Sequence, residues 1–394
     1  MRTLFHERDF LRLWMAGLCI FVVRWLEILA VGVFAYAATG SAFVVAVLTM
    51  LRLLPMGLFG AFLGAAADRM DRRRALLLVV LSQAVTSAVI AALAFFDAVA
   101  VWHLAVASFM NGIAWAADNP VRRAMIGQVV GPARMGVAMS VDVATSNGSR
   151  VLGPTLGGAL LATVGLDGAF LLSVVIYAPA VAAVLRLPRT PPADGAVATP
   201  VLASIAEGFA LVRREPRLVG ALLVTLLFNL FGWPCTSMIP VIGKDRLELG
   251  PQGVGLLAGM DGVGAFLGAV TIALLARPAQ YKAIYLGGIS LFLAMTVAFA
   301  LATGPLVAGA ALVLSGVGGA AFAIMQPTLV FLGAPAEMRS RVLGLLSVCI
   351  GLGPIGFLAL GGLAELFGAS AATAMMALAG LAAIAATRRW WKHI

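Results

Sequence analysis

Residues 64–74 read GAAADRMDRRR. Small residues lead into one acid, Asp68. A second acid, Asp71, stands inside a run of arginines. On both sides of this patch the chain is apolar for more than 20 residues, and that contrast decides the fold. A helix needs about 20 apolar residues to cross a bilayer core. Charges held in short stretches between such runs are what a chain looks like when it threads a membrane repeatedly. The composition agrees: 62% of the 394 residues are hydrophobic, 11% are charged, and the mean hydropathy is +1.04. A soluble domain carries about a quarter charged residues. The expected class is an all-α polytopic membrane protein.

Twelve transmembrane helices are predicted, at 10–38, 42–65, 74–96, 100–119, 135–162, 167–186, 217–242, 252–276, 283–303, 305–328, 340–364 and 367–387. A strand barrel would show short alternating segments instead. The first span has no small-residue cleavage site, so it is not read as a removable signal. The net charge of +10 has a topological cause. With an even number of spans, both termini share a side, and nearly all of the 27 basic residues collect there. Lys244 and Arg246 alone fall in the opposite loops, and Arg24, Arg52 and Arg150 lie within spans. This positive-inside bias predicts cytoplasmic termini and excludes nucleic acid as the partner the basic excess serves. Cys19, Cys235 and Cys349 show no metal-ligand spacing.

The chain is written twice. GAFLGA occurs at 60–65 and at 264–269. Gly112–Pro120 parallels Gly319–Pro327, and the Gly-Pro pairs at 153–154 and 353–354 fall in the same order. Two pseudo-symmetric six-helix bundles follow, at 1–187 and 217–394. The segment 188–216 is a cytoplasmic linker, Pro-rich at first. Within it, 201–217 reads either as an amphipathic surface helix or as an early start to the seventh span. Inverted or repeated bundles with a site at their midplane are the architecture of secondary transporters.

GAAADRMDRRR resembles the cytoplasmic signature loop of the major facilitator superfamily, Gly-x-x-x-Asp-Arg-x-Gly-Arg-Arg-x. Gly64, Asp68, Arg69, Arg72 and Arg73 match, and Asp71 stands where many members have glycine. The DRxDRRR form is similar to that of the drug- and siderophore-exporter branch. The resemblance implies a cytoplasmic gate in which Asp68 meets the start of span eleven, with Arg122 or Arg123 as ion-pair partners. At the repeat offset Asp68 becomes Ile272, so the gate acid is one-sided. SRVLGPTLGG at 149–158 supplies Gly153, Pro154, Gly157 and Gly158, which match the signature tied to antiporters; the resemblance implies a kinked, sealing helix and export. One departure matters: the arginine that many drug-proton antiporters carry in span four is replaced by Ser108. A proton route does not carry over from that motif.

Six charges lie well inside spans: Arg24, Glu27, Arg52, Asp142, Arg150 and Asp261. Each costs roughly 2.5–3.5 kcal/mol at mid-bilayer on the insertion scale, so such groups face a partner or a cavity. Arg24 and Glu27 share a helix face, as a mutually cancelling pair or as a substrate or proton site. Arg52 is placed to share Glu27. Asp142, Thr145, Ser146, Ser149 and Arg150 form a polar stripe that should face inward, with Arg150 the leading anion contact. Asn229 and Trp233 beside Pro234 are candidates for the opposite cavity wall. Glu27 and Asp261 are the candidate proton carriers. The expected protein is an exporter of a small amphipathic molecule, a drug or siderophore-like metabolite, working by alternating access. It needs no cofactor beyond a proton gradient, acts as a monomer, and sits in a bacterial inner membrane. Uptake or exchange of an organic anion is the alternative, and a non-transporting membrane sensor a remote one. No triad, metal cluster or phosphate-cradling loop suggests an enzyme.

Overall fold

The computed structural model describes residues 4, 6–68, 70–131, 134–189, 209, 212–213, 215–335, 339–392 and 394, with the backbone alone at 61–68, 339–341 and 343–344. Among these residues the chain is helical throughout, in the order α1 (Arg8–Thr39), α2 (Ala42–Asp68), α3 (Arg72–Phe95), α4 (Val101–Val130), α5 (Met135–Thr163), α6 (Gly165–Leu185), α7 (Pro216–Asp245), α8 (Pro251–Leu275), α9 (Tyr281–Leu301), α10 (Pro305–Gly333), α11 (Arg339–Gly351 and Gly353–Phe367) and α12 (Ala369–Ala386). A short α13 (Arg388–Trp391) ends it. Ten of these helices are long and apolar enough to span a membrane by length and composition. The exceptions, α4 and α5, are 30 and 29 residues long but carry the polar residues of the interior site. The surface-helix reading of 201–217 and most of the linker lie outside the described residues.

Local chemistry sets the helix ends. Asp71 caps α3, its carboxylate accepting from the Arg74 N–H at 2.9 Å. Proline occupies the first turn of α7, α8 and α10, where its missing N–H costs no intrahelical bond. Two turns recur between repeats: Gly165 joins α5 to α6 at φ +77°, and Gly368 joins α11 to α12 at φ +81°. Both lie in the left-handed region that glycine enters without a Cβ penalty. The fourth helix departs from expectation. It does not stop before Pro120 but runs on to Val130, as α10 runs on past Pro327. Arg122 and Arg123 are therefore helical residues rather than members of a basic loop.

The helices form two units. The first comprises Met1–Phe34 and Leu51–Ala198; the second comprises Ala35–Met50 and Thr199–Ile394. In the first, α3 lies along α6 and α4, and a core of Phe10, Leu13, Leu76, Val80, Met125 and Val184 fills the space between helices. In the second, α10 packs along α8 and α9, and α12 along α9. That unit also holds the end of α1 and the start of α2. Tyr36, Val45 and Ala46 share its core with Met238, Ile242, Leu360 and Ala364. The Tyr36 hydroxyl donates to Asp245, and Glu365 accepts from Ser41 Oγ and from the Phe43 N–H at 3.1 Å.

In lipid the hydrophobic effect does not drive helices together, so contact depends on small residues that let backbones meet. Gly112 on α4 faces the Arg52 carbonyl of α2 so closely that a Cβ would lie 2.4 Å from it. In the second unit Gly316 on α10 stands the same way against the Asp261 carbonyl of α8, at 2.1 Å. The second GAFLGA copy contributes Gly264, whose Cβ would lie 1.8 Å from the Val313 carbonyl. The repeated motif is thus a helix-packing device in its second copy.

Candidate functional site

The site is built on α1. Arg24 and Glu27 lie one turn apart, and both are buried, but they turn to different partners. Glu27 is fully enclosed. It accepts from Ser87 Oγ of α3 and from Asn111 Nδ2 of α4 at 3.1 Å. Arg52 of α2 supplies the countercharge, its Nη2 3.8 Å from the carboxylate. One acid therefore ties four helices of the first unit together.

Arg24 reaches away from Glu27 to Asp118 on α4, at 3.2 Å. Asp118 uses its other oxygen for Arg122, one turn on, at 3.1 Å. Arg122 in turn donates to Asp142 of α5, and Asp142 meets Arg123 at 3.7 Å. Arg24–Asp118–Arg122–Asp142–Arg123 is thus a chain of alternating sign that runs from mid-α1 to the half-exposed side chain of Arg123. The Phe21 ring lies under both Arg24 and Arg122, at 5.4 and 4.6 Å, and Trp115 lies 4.5 Å from the Arg24 guanidinium. Gly17 makes room, since a Cβ there would sit 3.0 Å from Arg122 Nη1. Of the deeply buried ions, Arg24, Arg52 and Arg122 balance Glu27, Asp118 and Asp142. Taking one partner away leaves an uncompensated buried charge, which is far more costly than the pair itself is stabilising.

The α5 stripe continues from Asp142. Ser149 is buried, Thr145 accepts from Trp14 Nε1 at 2.8 Å, and the half-buried Arg150 lies over the Trp25 ring at 5.2 Å. Below it, Gly153, Pro154, Gly157 and Gly158 are all buried. A Cβ on Gly153 would meet Trp25 Cβ at 2.5 Å and the Val22 carbonyl at 2.8 Å, and one on Gly157 the Leu26 carbonyl at 2.9 Å. These glycines seat α5 on the turn of α1 that carries Arg24 and Glu27. In the second unit α11 approaches α7 through Gly356, whose Cβ would lie 2.3 Å from the Leu230 carbonyl, whereas Gly362 has open space.

The second unit's interior is mostly neutral. Asn229 sits in a π-helical turn, Phe228–Gly232, and donates to the Thr225 carbonyl at 2.9 Å. Thr225 Oγ1 lies 3.0 Å from the Tyr285 hydroxyl and accepts from Gln326 Nε2 at 3.2 Å. Phe228 stacks on Phe322 at 4.0 Å, and Tyr285 on the same ring at 5.2 Å. The half-buried Trp233 opens the 3₁₀ segment that follows. Asp261, buried on α8, is this unit's one buried acid or base among the described side chains.

The side chains of Gly64, Asp68 and Arg69 lie outside the described residues. Of their neighbours, Arg73 donates to the Leu185 carbonyl at the end of α6. Of the two arginines expected as ion-pair partners of Asp68, Arg122 lies against Asp118 and Asp142 and Arg123 against Asp142. Asp118 is the site residue that the sequence pattern did not single out, together with Ser87, Asn111, Phe21 and Trp115. Its signal was present, because Asp118 stands four before Arg122. It was hidden by taking Pro120 as the end of the helix.

The Major Facilitator Superfamily profile matches residues 13–357. The multidrug efflux pump Tap of Mycolicibacterium fortuitum is 31% identical over 348 residues, 84% of this chain and 82% of the relative. The staphyloferrin A transporter of Staphylococcus aureus is 24% identical over 287 residues, 72% of this chain and 70% of that one. Among solved structures, the nucleoside transporter NupG superposes with a TM-score of 0.73 at 15% identity, over 98% of this chain and 99% of the other. With ten helices among the described residues long and apolar enough to span a membrane, buried ion pairs and this match, the chain is a multi-pass membrane transporter that belongs to the Major Facilitator Superfamily.

Proposed function

We propose that this transporter exports a small amphipathic molecule, a drug or siderophore-like metabolite, in exchange for protons. The observation that carries the reading is the set of enclosed carboxylates Glu27, Asp118 and Asp142, each bound to arginine inside the membrane. Protonating such a group cancels an ion pair and biases the helices it joined, which is how a proton gradient is converted into a change of conformation. Glu27 is the proton carrier in this reading. It faces one arginine at 3.8 Å, whereas Asp118 faces two at 3.1 and 3.2 Å, so fewer cations oppose its neutralisation. The efflux-pump relative supports the direction, as do the glycines that seat α5 on α1.

The remaining groups take supporting roles. Arg150 on Trp25, with Asn229 and Trp233, contacts substrate. Gly64, Asp68, Arg69, Arg72 and Arg73 form a cytoplasmic gate, both termini face the cytoplasm of a bacterial inner membrane, and the protein works as a monomer. Uptake of an organic anion is the second reading, favoured by the half-buried Arg150 guanidinium over an aromatic ring.

Proteoliposomes loaded with ethidium or with staphyloferrin A test both. Acidifying the outside should accelerate efflux of one probe through proton antiport. Acid-driven uptake of staphyloferrin A, with efflux indifferent to the gradient, would replace export by the second reading.

A further inference from the structure

Around Glu27 lies a second set of polar groups that the ion pairs do not use. Arg24, Arg52, Gln83, Asn111 and Tyr177 stand on α1, α2, α3, α4 and α6 of the first unit, and none is more than 4% exposed. Each carries a polar atom without a hydrogen-bond partner among the described residues. These atoms are Nε of Arg24, Nε and Nη2 of Arg52, both ends of the Gln83 amide, Oδ1 of Asn111 and the Tyr177 hydroxyl. Asn111 donates to Glu27 through its other amide atom, and Arg52 faces the same carboxylate at 3.8 Å. Gln83 stands one turn before Ser87, the donor to Glu27 on α3, and so shares its face. The Tyr177 phenol is within electrostatic reach of Glu27, Arg52, Arg24 and Asp118.

A buried polar group without a partner is costly, and a cluster of them marks a place for something that satisfies them. The mixture of types says what. An anion site presents donors and a cation site presents acceptors. Here guanidinium donors stand beside amide and hydroxyl acceptors, and the buried ions already balance as three arginines and three acids. A neutral group that both donates and accepts fits, and water in protein interiors makes about three hydrogen bonds to such atoms. Tyr285 of the second unit is the contrast. It is equally buried, but its hydroxyl donates to the Ala221 carbonyl at 2.8 Å and meets Thr225 Oγ1 at 3.0 Å.

We infer that Gln83, Asn111 and Tyr177 hold internal water against Arg24 and Arg52, and that this water takes over the Arg52 charge when Glu27 is protonated. The second part rests on Glu27 being the proton carrier. A neutral Glu27 leaves Arg52 as an uncompensated buried charge, the costly state of a broken pair. Water held by the Gln83 and Asn111 oxygens and by the Tyr177 hydroxyl gives that guanidinium acceptors, so the pair can open and close.

Hydroxyl-radical footprinting of the full chain in nanodiscs tests the site, with radicals made from water by X-ray pulses and the modified side chains read by mass spectrometry. A buried side chain is modified where water lies against it. Tyr177 should be modified in wild type and Tyr285 protected. Gln83→Leu should bring Tyr177 down to the level of Tyr285. In proteoliposome efflux of ethidium the same variant should need about tenfold more external proton for half-maximal stimulation, the effect of about one hydrogen bond to a charged group. Gln83→Asn, which keeps an amide, should recover both signals. Tyr177 as protected as Tyr285 in wild type would overturn the water site, even with acid-stimulated efflux intact. Protection of Tyr177 in Gln83→Leu with an unchanged proton requirement would overturn the role toward Arg52. Wild-type efflux indifferent to acid with Tyr177 modified would instead remove Glu27 as carrier and leave the water site standing.

Discussion

The two units share a way of packing helices but not a way of filling their interiors. Gly112 brings α4 onto α2 in the first, and Gly316 brings α10 onto α8 in the second. Proline lies inside α4 and α10, and left-handed glycines precede α6 and α12. Within that common frame the first unit buries three arginines and three acids, while the second buries Asp261 and otherwise joins Thr225, Tyr285 and Gln326 around stacked rings. Backbone approach is set by small residues and survives divergence in the rest of the sequence. Buried charge is a separate commitment, because each ion must keep its partner or lose several kcal/mol. The first unit's interior is therefore held by charge pairs, the second's by a hydroxyl and amide knot.

The sharpest way to break this contrast is Asp118→Ala. It leaves Arg24 and Arg122 without their shared acid and should cost about 3–5 kcal/mol of apparent stability in denaturant unfolding in micelles. A loss no greater than that of a neutral hydrogen bond would mean water already satisfies the arginines. Next is Gly153→Leu, which forces α5 off the Val22 carbonyl and Trp25 and should cost about 3 kcal/mol. Gly362→Leu, in the looser second copy, should stay within about 0.5 kcal/mol because nothing lies within 4 Å of its Cβ direction. A double-mutant cycle on Arg122→Gln and Asp142→Asn should return a coupling on the order of 2 kcal/mol, the double variant losing less than the singles combined. Additive losses would remove Asp142 from the chain. Tyr285→Phe should cost less than that coupling, about 1 kcal/mol for a neutral buried hydroxyl, read in the same unfolding assay.

Fold class, the repeat and the family were legible because they rest on long apolar runs and on glycine and proline motifs. Arg52 sharing Glu27 was also legible, since spans one and two are consecutive and both residues sit at mid-depth. The Arg24–Asp118–Arg122–Asp142 chain was not. It depends on α4 staying helical through Pro120, and proline in a sequence usually signals the opposite. Trp25 under Arg150 and Gly17 beside Arg122 were equally invisible, because each depends on which side of α1 meets which helix. In the second repeat Gly356 brings α11 onto α7, while Gly361 of the same helix lies against Phe43 and Ala46 of α2, a division of contacts that the motif alone does not show.

The central claim is that proton coupling resides in the first unit's enclosed acids, with Glu27 as carrier, and not in Asp261. Ethidium efflux from proteoliposomes, with and without external acidification, compares wild type, Glu27→Gln and Asp261→Asn directly. Glutamine keeps an oxygen for the donors around position 27, so folding is retained while the titratable group is removed. The account predicts acid-stimulated efflux in wild type and in Asp261→Asn, and efflux indifferent to the gradient in Glu27→Gln. Full stimulation in Glu27→Gln, or its loss in Asp261→Asn alone, would contradict it.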